Sequence, residues 1–453
     1  MIKSINPSTE ELIKEYDVYS NDRVIHIINK VSDEYEIWKN ISYKNRSNIL
    51  INIANDLDNN LECHAKMISL EVGKPIVESR LEIKKCIWVL RYFAKNAELF
   101  LKKKNIQTEY KESYIQYDPI GIVFGIMPWN FPYWQVIRFI APLLMVGNTC
   151  IVKHASNVSG CSLLIEKLIM DNSPYKNIYR SLLIKSNQVE FIIKHSDIKG
   201  VSLTGSDKAG SEVAMQAGKE IKKTVLELGG SDPFIVLEDA NVSRAAKIGV
   251  SARFLNTGQS CIAAKRFLVQ DNIYDEFIDI ICCEIDNLVV GDALDELTQI
   301  GPLAKREFVE EIDDLVQSAI SDGANCLRGG KMRGCYYMPT LLIDVTDDMG
   351  VFKSETFGPV LCVTKFKDID DAIRLANQSD YGLGGSLWTS DIEKSKKIVG
   401  RINTGAVFVN DMTKSDPRLP FGGINKSGYG VELSEYGIKE FVNIKTIVIS
   451  DNY

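Results

Sequence analysis

Between residues 121 and 204 the chain alternates short apolar or β-branched runs with longer stretches of helical spacing, and few folds accept that rhythm. Residues 121–126, 149–153 and 201–204 read as strands, separated by a helix from about Tyr133 and another ending at Met170. Strands joined through helices run parallel, so the expectation is an α/β fold built on a doubly wound, Rossmann-type sheet. A second α/β segment begins near Gly229. It holds a strand at 233–237, a helix at 242–254, strands at 267–269 and 360–366, and a helix at 273–288.

The flanks differ. The first hundred residues read as helices, with apolar spacing near 3.6 in 21–39, 44–70 and 77–102. Residues 106–117 then alternate polar with aromatic or apolar side chains, as an exposed hairpin does, and 441–450 is a β-branched run near the end. Such edges need covering: either they pair between subunits, or the terminal strand completes the chain's own sheet.

Ten cysteines and four histidines could suggest a disulfide framework or a metal. Their spacing supports neither, because there is no C-x-x-C pair and the histidines are scattered. Cys86, Cys150, Cys161, Cys282, Cys283 and Cys362 sit in or beside apolar segments, where thiols behave as small hydrophobes. A reducing, cytoplasmic setting is expected. The net charge of −7 argues against nucleic acid or an anionic membrane as partner, and no apolar stretch approaches the roughly 20 residues of a membrane span. Residues 1–16 contain no apolar signal core.

Chemistry concentrates in a few turns. Cys261 stands in Asn256-Thr257-Gly258-Gln259-Ser260-Cys261, and Glu227 opens Glu227-Leu228-Gly229-Gly230. A thiolate attacks carbonyls, and a separate carboxylate can activate water against the resulting thioester. In Met127-Pro128-Trp129-Asn130-Phe131-Pro132 the Asn130 amide either donates to a developing oxyanion or caps the next helix. Thr204-Gly205-Ser206 ends a strand and opens a helix, which suits a pyrophosphate but is also an ordinary turn. Lys153-His154-Ala155-Ser156 closes another strand; Lys153 there is either a ribose or phosphate contact or an exposed base. In Glu355-Thr356-Phe357-Gly358-Pro359, Glu355 can bond a ribose and Phe357 pack on a nicotinamide, or Phe357 can simply be buried under a turn.

The order of these pieces resembles the aldehyde dehydrogenase superfamily. From Met127 to Gly423 it runs Pro-Trp-Asn-Phe-Pro, Lys-x-Ala, Thr-Gly-Ser, Glu-Leu-Gly-Gly, Gly-Gln-x-Cys, Glu-x-Phe-Gly-Pro and Pro-Phe-Gly-Gly. The resemblance implies a cofactor domain from 1–103 and 119–228, a catalytic domain from 229–430, and a β oligomerisation arm from 104–118 and 431–453. It implies a homodimer or homotetramer. It also implies a thiohemiacetal and then a thioacyl intermediate on Cys261, an oxyanion held by Asn130, and hydrolysis by Glu227. Trp129, Lys153, Ser156, Gly205, Ser206, Glu355 and Phe357 become the cofactor contacts.

Members that pass the acyl group to coenzyme A usually lack the base at Glu227, so the acid-forming reaction is implied. NAD-specific members often carry glutamate at the Ser156 position. Serine beside Lys153 accepts a 2′-phosphate, which points to NADP with NAD as a second possibility. The usual glycine-rich turn between 181 and 195 is missing, which leaves the adenine-side contacts open.

Residues 153–158 and 415–423 resemble the short succinate-semialdehyde dehydrogenase group. Arg138 matches one of that group's carboxylate-binding arginines, with a structural ion pair as its alternative role. The second arginine position is Leu255 here, and Arg418 is the proposed replacement. Glyceraldehyde, lactaldehyde or another small aldehyde is the alternative substrate. A non-catalytic, structural relative is the remote alternative, set against the presence of both Cys261 and Glu227.

Overall fold

The computed structural model describes residues 1–450. Its centre is a six-stranded sheet in the order Gly428–Tyr429, Lys223–Glu227, Ile198–Thr204, Ile122–Met127, Thr149–His154, Tyr179–Ser181. Every pairing is parallel except that of the outermost Gly428–Tyr429. Helices pack on both faces, so the inner strands are buried almost throughout and read as continuous apolar runs. In such a sheet ligands collect beyond the carboxyl ends of the strands. Those ends are where the chain places Met127, Thr204, Glu227 and the turn after His154.

A seven-stranded sheet follows, in the order Asn325–Arg328, Thr340–Ile343, Val360–Phe366, Ala264–Gln270, Asp232–Val236, Ser386–Trp388, Phe408–Val409. Only Asn325–Arg328 runs antiparallel to its neighbour. The helices Val242–Phe254 and Arg306–Ser321 bury apolar stripes against it.

Three expectations need correcting. The chain opens on an antiparallel strand pair, Ile2–Ile5 with Leu12–Tyr16, not on a helix. Its inward-facing positions include Ser4, whose hydroxyl donates to Glu71 Oε1 at 2.6 Å; a buried serine hides the apolar alternation that marks a strand. The helix expected at 44–70 is two helices, Tyr43–Asn59 and Leu61–Val72, broken at Asn60, where φ is −109° and ψ 22°. The apolar period continues across the break and so conceals it. Residues 106–117 form no isolated hairpin: Glu112–Pro119 is the middle strand of a three-stranded antiparallel sheet. Lys104–Asn105 flanks it on one side and Val442–Ile449 on the other, so the terminal strand pairs within its own chain.

Candidate active site

The turn carrying Cys261 is under backbone strain. After the helix Val242–Phe254, Asn256, Thr257 and Gly258 take φ values of 53°, 55° and 75° in succession. The left-handed region costs about 1–3 kcal/mol for each non-glycine residue, so the surroundings must hold it. They do. Asn256 N donates to Glu78 Oε2 at 2.7 Å, and its side-chain amide donates to the backbone oxygens of Asn130 (2.9 Å) and Gln259 (3.1 Å). Thr257 Oγ1 accepts from Gly301 N at 3.1 Å. A Cβ at Gly258 would stand 2.2 Å from the Gly358 carbonyl oxygen, and one at Gly230 would stand 2.6 Å from that of Cys261. Glycine at both places lets backbone segments meet around the thiol.

Cys261 lines two cavities. One, of about 280 Å³, is walled by Trp129, Thr204, Gly205, Ser206, Glu355 and Phe357 among others. The other, of about 190 Å³, is walled by Glu78, Lys85, Phe131, Trp134, Arg138 and Phe421 among others. Only Cys261 and Gln135 line both. The thiol therefore stands between two compartments of different chemistry.

The first compartment fits a nucleotide. Gly205 and Ser206 introduce the helix Asp207–Lys219, Thr204 Oγ1 is buried without a hydrogen-bond partner, and a Cβ at Gly205 would meet only Leu203, at 3.6 Å. Trp129 stacks on Phe308 with centroids 5.1 Å apart and meets Phe357 edge-on at 5.8 Å, so the wall opposite is aromatic. Glu355 is held by Gly230 N (3.0 Å) and Lys265 Nζ (3.2 Å).

Burial pushes the Cys261 thiol up to about 12, against the pull of Lys265 and Arg138. Glu227, the last residue of its strand, is raised well above the carboxylate range by burial and then by Glu432, while Arg138 opposes the shift. Neither Glu227 oxygen has a hydrogen-bond partner, so no polar contact ties the carboxylate down. Asn130 Nδ2 spends one hydrogen on Gln259 O at 3.0 Å; a primary amide keeps a second donor for another acceptor.

The family comparison now decides between readings of this constellation. The family model described as "Aldehyde dehydrogenase family" matches residues 1–447. The chain belongs to the aldehyde dehydrogenase family. A Synechocystis protein named as a probable NADP(+) succinate-semialdehyde dehydrogenase is 41% identical, over 99% of this chain and all of its own length. The Streptococcus pyogenes succinic semialdehyde dehydrogenase, solved with NADP+, superposes with a TM-score of 0.97 at 34% identity, each chain covering 100% of the other. The Methanocaldococcus jannaschii glyceraldehyde-3-phosphate dehydrogenase, complexed with NADP, gives 0.95 at 32% identity and covers 100% of this chain and 99% of its own.

Within this aldehyde dehydrogenase the expected residues divide by place. Trp129, Asn130, Gly205, Ser206, Cys261, Glu355 and Phe357 meet at the first cavity. Lys153 and Ser156 do not line it; they lie at the carboxyl end and in the following turn of the neighbouring strand, with Lys153 buried and Ser156 exposed. Glu227 is buried and does not line the cavity, although the next two residues, Leu228 and Gly229, do. Arg138 lines the second cavity and is also ion-paired with Glu432, so the structural role weighed for it is present at a cavity wall. Leu255 lines the same cavity.

Arg418 requires correction as the replacement cation. It is an exposed side chain held by Asp416, Nη2 to Oδ2 at 2.6 Å, and it does not line the cavity.

Sequence reading missed Phe308, Ile312 and Leu315, one face of the helix Arg306–Ser321 that walls the first cavity. Their i, i+4, i+7 spacing was the available signal. It also missed Glu78, Glu82 and Lys85, which share one face of the helix Ile76–Phe100 at the same spacing and wall the second. Charges on a buried stripe are the signal there.

Arg253 fastens the loop that carries Glu355 and Phe357 to the turn before Cys261. Fully buried, it donates to the backbone oxygens of Val360 (2.5 Å), Thr356 (2.8 Å) and Gly358. Arg253→Met should strand those carbonyls at about 1–3 kcal/mol each and loosen the Glu355–Pro359 loop. The expected result is a lower Tm together with a weaker nucleotide Kd, read by thermal melting and by fluorescence titration. An unchanged Kd would separate the loop from cofactor binding.

Proposed function

We propose that this protein oxidises succinate semialdehyde to succinate with NADP. The observation that carries the reading is the position of Cys261 on the partition between a nucleotide-shaped cavity and a second cavity walled by Arg138 and Lys85. An aldehyde bearing a carboxylate would set its charged end against those cations and its carbonyl at the thiol.

In this mechanism the Cys261 thiol gives its proton to water, and Sγ bonds to the aldehyde carbon as the C=O π bond opens to the oxyanion of a thiohemiacetal. The free N–H of the Asn130 amide stabilises the oxyanion; a donor in that role is worth about 2.7–4 kcal/mol. The walls of the first cavity would hold NADP, which would supply the hydride acceptor that oxidation of the adduct to a thioester requires. Glu227, held by no partner, swings toward the acyl group and takes a proton from water. Water bonds to the acyl carbon, the C–S bond breaks, and succinate leaves as the departing sulfur takes the proton back from Glu227.

For NADP, support comes from Ser156 and Lys153 at the carboxyl edge of the sheet, with no carboxylate at the serine position to repel a 2′-phosphate. The names of the NADP-dependent relatives agree. No helix among the described residues is long and apolar enough to cross a membrane, and every cysteine is free, in keeping with a cytoplasmic enzyme. The exposed Ile444, Val448 and Ile449 on the three-stranded sheet are the surface on which a homo-oligomer would close.

The test is the initial rate of NAD(P)H formation with NADP and NAD across succinate semialdehyde, glyceraldehyde and butanal. The expected result is a preference of about tenfold or more for succinate semialdehyde with NADP, the least that one charge-assisted contact provides. Equal or faster turnover of glyceraldehyde would transfer the enzyme to small hydroxyaldehydes.

A further inference from the structure

The second cavity holds an uncompensated charge. Arg138 is answered by Glu432, and Glu82 by Lys74, both as buried ion pairs. Glu82 Oε1 also accepts from Tyr133 N (2.9 Å) and Trp134 N (3.0 Å) at the start of the helix Trp134–Val146, so its oxygens are committed. Glu78 holds Asn256 N, and burial lifts it to about 7, which leaves it only partly ionised. Asp416 is taken by Arg418. Lys85 remains. Its ammonium donates to Ser415 Oγ at 2.7 Å and stands 4.3 Å from the centre of the Trp134 ring, and no carboxylate among the described residues pairs with it.

On the basis of the function proposed above, we infer that Lys85 is a specificity-determining residue that binds the substrate carboxylate jointly with Arg138. Trp134 and Arg138 lie one helical turn apart, and Lys85 sits over Trp134, so both cations flank one stretch of the cavity. Arg138 Nη2 is buried without a hydrogen-bond partner and offers a donor there. A carboxylate bridging Lys85 and Arg138 supplies the missing counter-charge and the missing acceptor at once. Ser415 then orients the ammonium. A neutral or hydroxylated aldehyde leaves the Lys85 ammonium without a counter-charge and the Arg138 Nη2 donor without an acceptor, so selectivity arises as much from that penalty as from attraction.

A charge dependence follows. Burial and, more weakly, Arg138 draw Lys85 down to about 8; Cys86 and Glu82 on its own helix and Asp416 on the adjoining loop oppose this. Arg138 faces it from the helix Trp134–Val146, and Lys414 and Glu78 share its cavity. The charged form binds the carboxylate, so affinity is highest below about pH 8 and falls as the ammonium deprotonates above it. The substrate carboxylate stays ionised throughout.

The experiment compares kcat and KM for succinate semialdehyde and butanal in wild type, Lys85→Met and Lys85→Arg across neutral to alkaline pH. In Lys85→Met the ratio of kcat/KM for the acid aldehyde to that for butanal should fall about tenfold or more, through KM rather than kcat. In Lys85→Arg the ratio should recover and the alkaline rise in KM should vanish, since arginine stays charged. A ratio unchanged in a folded Lys85→Met, or an alkaline rise persisting in Lys85→Arg, overturns the inference and leaves the proposed function standing. A wild type that does not favour succinate semialdehyde over butanal overturns the proposed function and the role of Lys85 with it.

Discussion

Cys261→Ala is expected to abolish aldehyde oxidation while the protein stays folded and binds NADP. The side chain it removes is small and half-buried on a cavity wall, so little packing is lost. The strain in the preceding turn is held by Glu78, Asn130 and Gly301, none of which touches the thiol through these bonds. Chemistry, by contrast, depends on the sulfur. Deleting a covalent nucleophile costs about 10⁴-fold or more in kcat, since what remains is binding and oxyanion stabilisation alone. The check is a full steady-state assay paired with a thermal melt and an NADP titration. Residual turnover within about tenfold of wild type would show that another group attacks the aldehyde.

Glu227→Gln should separate the two halves of the reaction. Acylation of Cys261 proceeds, so a burst of NADPH equal to the enzyme concentration appears on mixing; hydrolysis then limits, and the steady state falls about 10²–10⁴-fold, the range for a lost general base. The substitution keeps shape and leaves an amide where burial and Glu432 already disfavour the charged carboxylate, so the fold should hold. The pH profile gives a second reading. Because burial and Glu432 hold Glu227 well above the ordinary carboxylate range, it becomes a base only at higher pH than a free carboxylate does. Wild-type kcat should therefore climb with pH through that group, and Glu227→Gln should lack the climb. A burst-free variant with unaltered kcat would remove Glu227 from the hydrolytic step.

How much of this was legible in the chain depends on the range of each signal. The parallel sheets were readable because both faces of their strands are covered, which forces apolar runs such as Ile122–Met127. The motif order was readable because a turn at a strand end keeps its glycines and polar residues together in sequence. The N-terminal strand pair was not, because Ser4 occupies an inward position to bond Glu71. Nor was the break at Asn60, which changes the backbone without changing the apolar period.

The second cavity exposes the larger limit. Arg138 was found because it matches a carboxylate-binding arginine of the group the chain resembles, but its partner Glu432 lies far away in the chain. Lys85 looked like one lysine among many on a long helix. Only the tertiary accounting, in which Lys74, Arg138 and Arg418 each own a carboxylate and Lys85 does not, singles it out. Arg418 went wrong for the converse reason: charge is visible in sequence, whereas the local Asp416 clamp and the outward direction are set by the folded loop.

The most direct measurement is the intact mass and peptide map of Glu227→Gln quenched during turnover with NADP and succinate semialdehyde. Slow hydrolysis should leave one succinyl group per chain, mapped as a thioester to Cys261 and absent when NADP is omitted. No acyl group despite NADPH formation, or a succinyl group on any other residue, would contradict a covalent oxidation carried by the thiol between the two cavities.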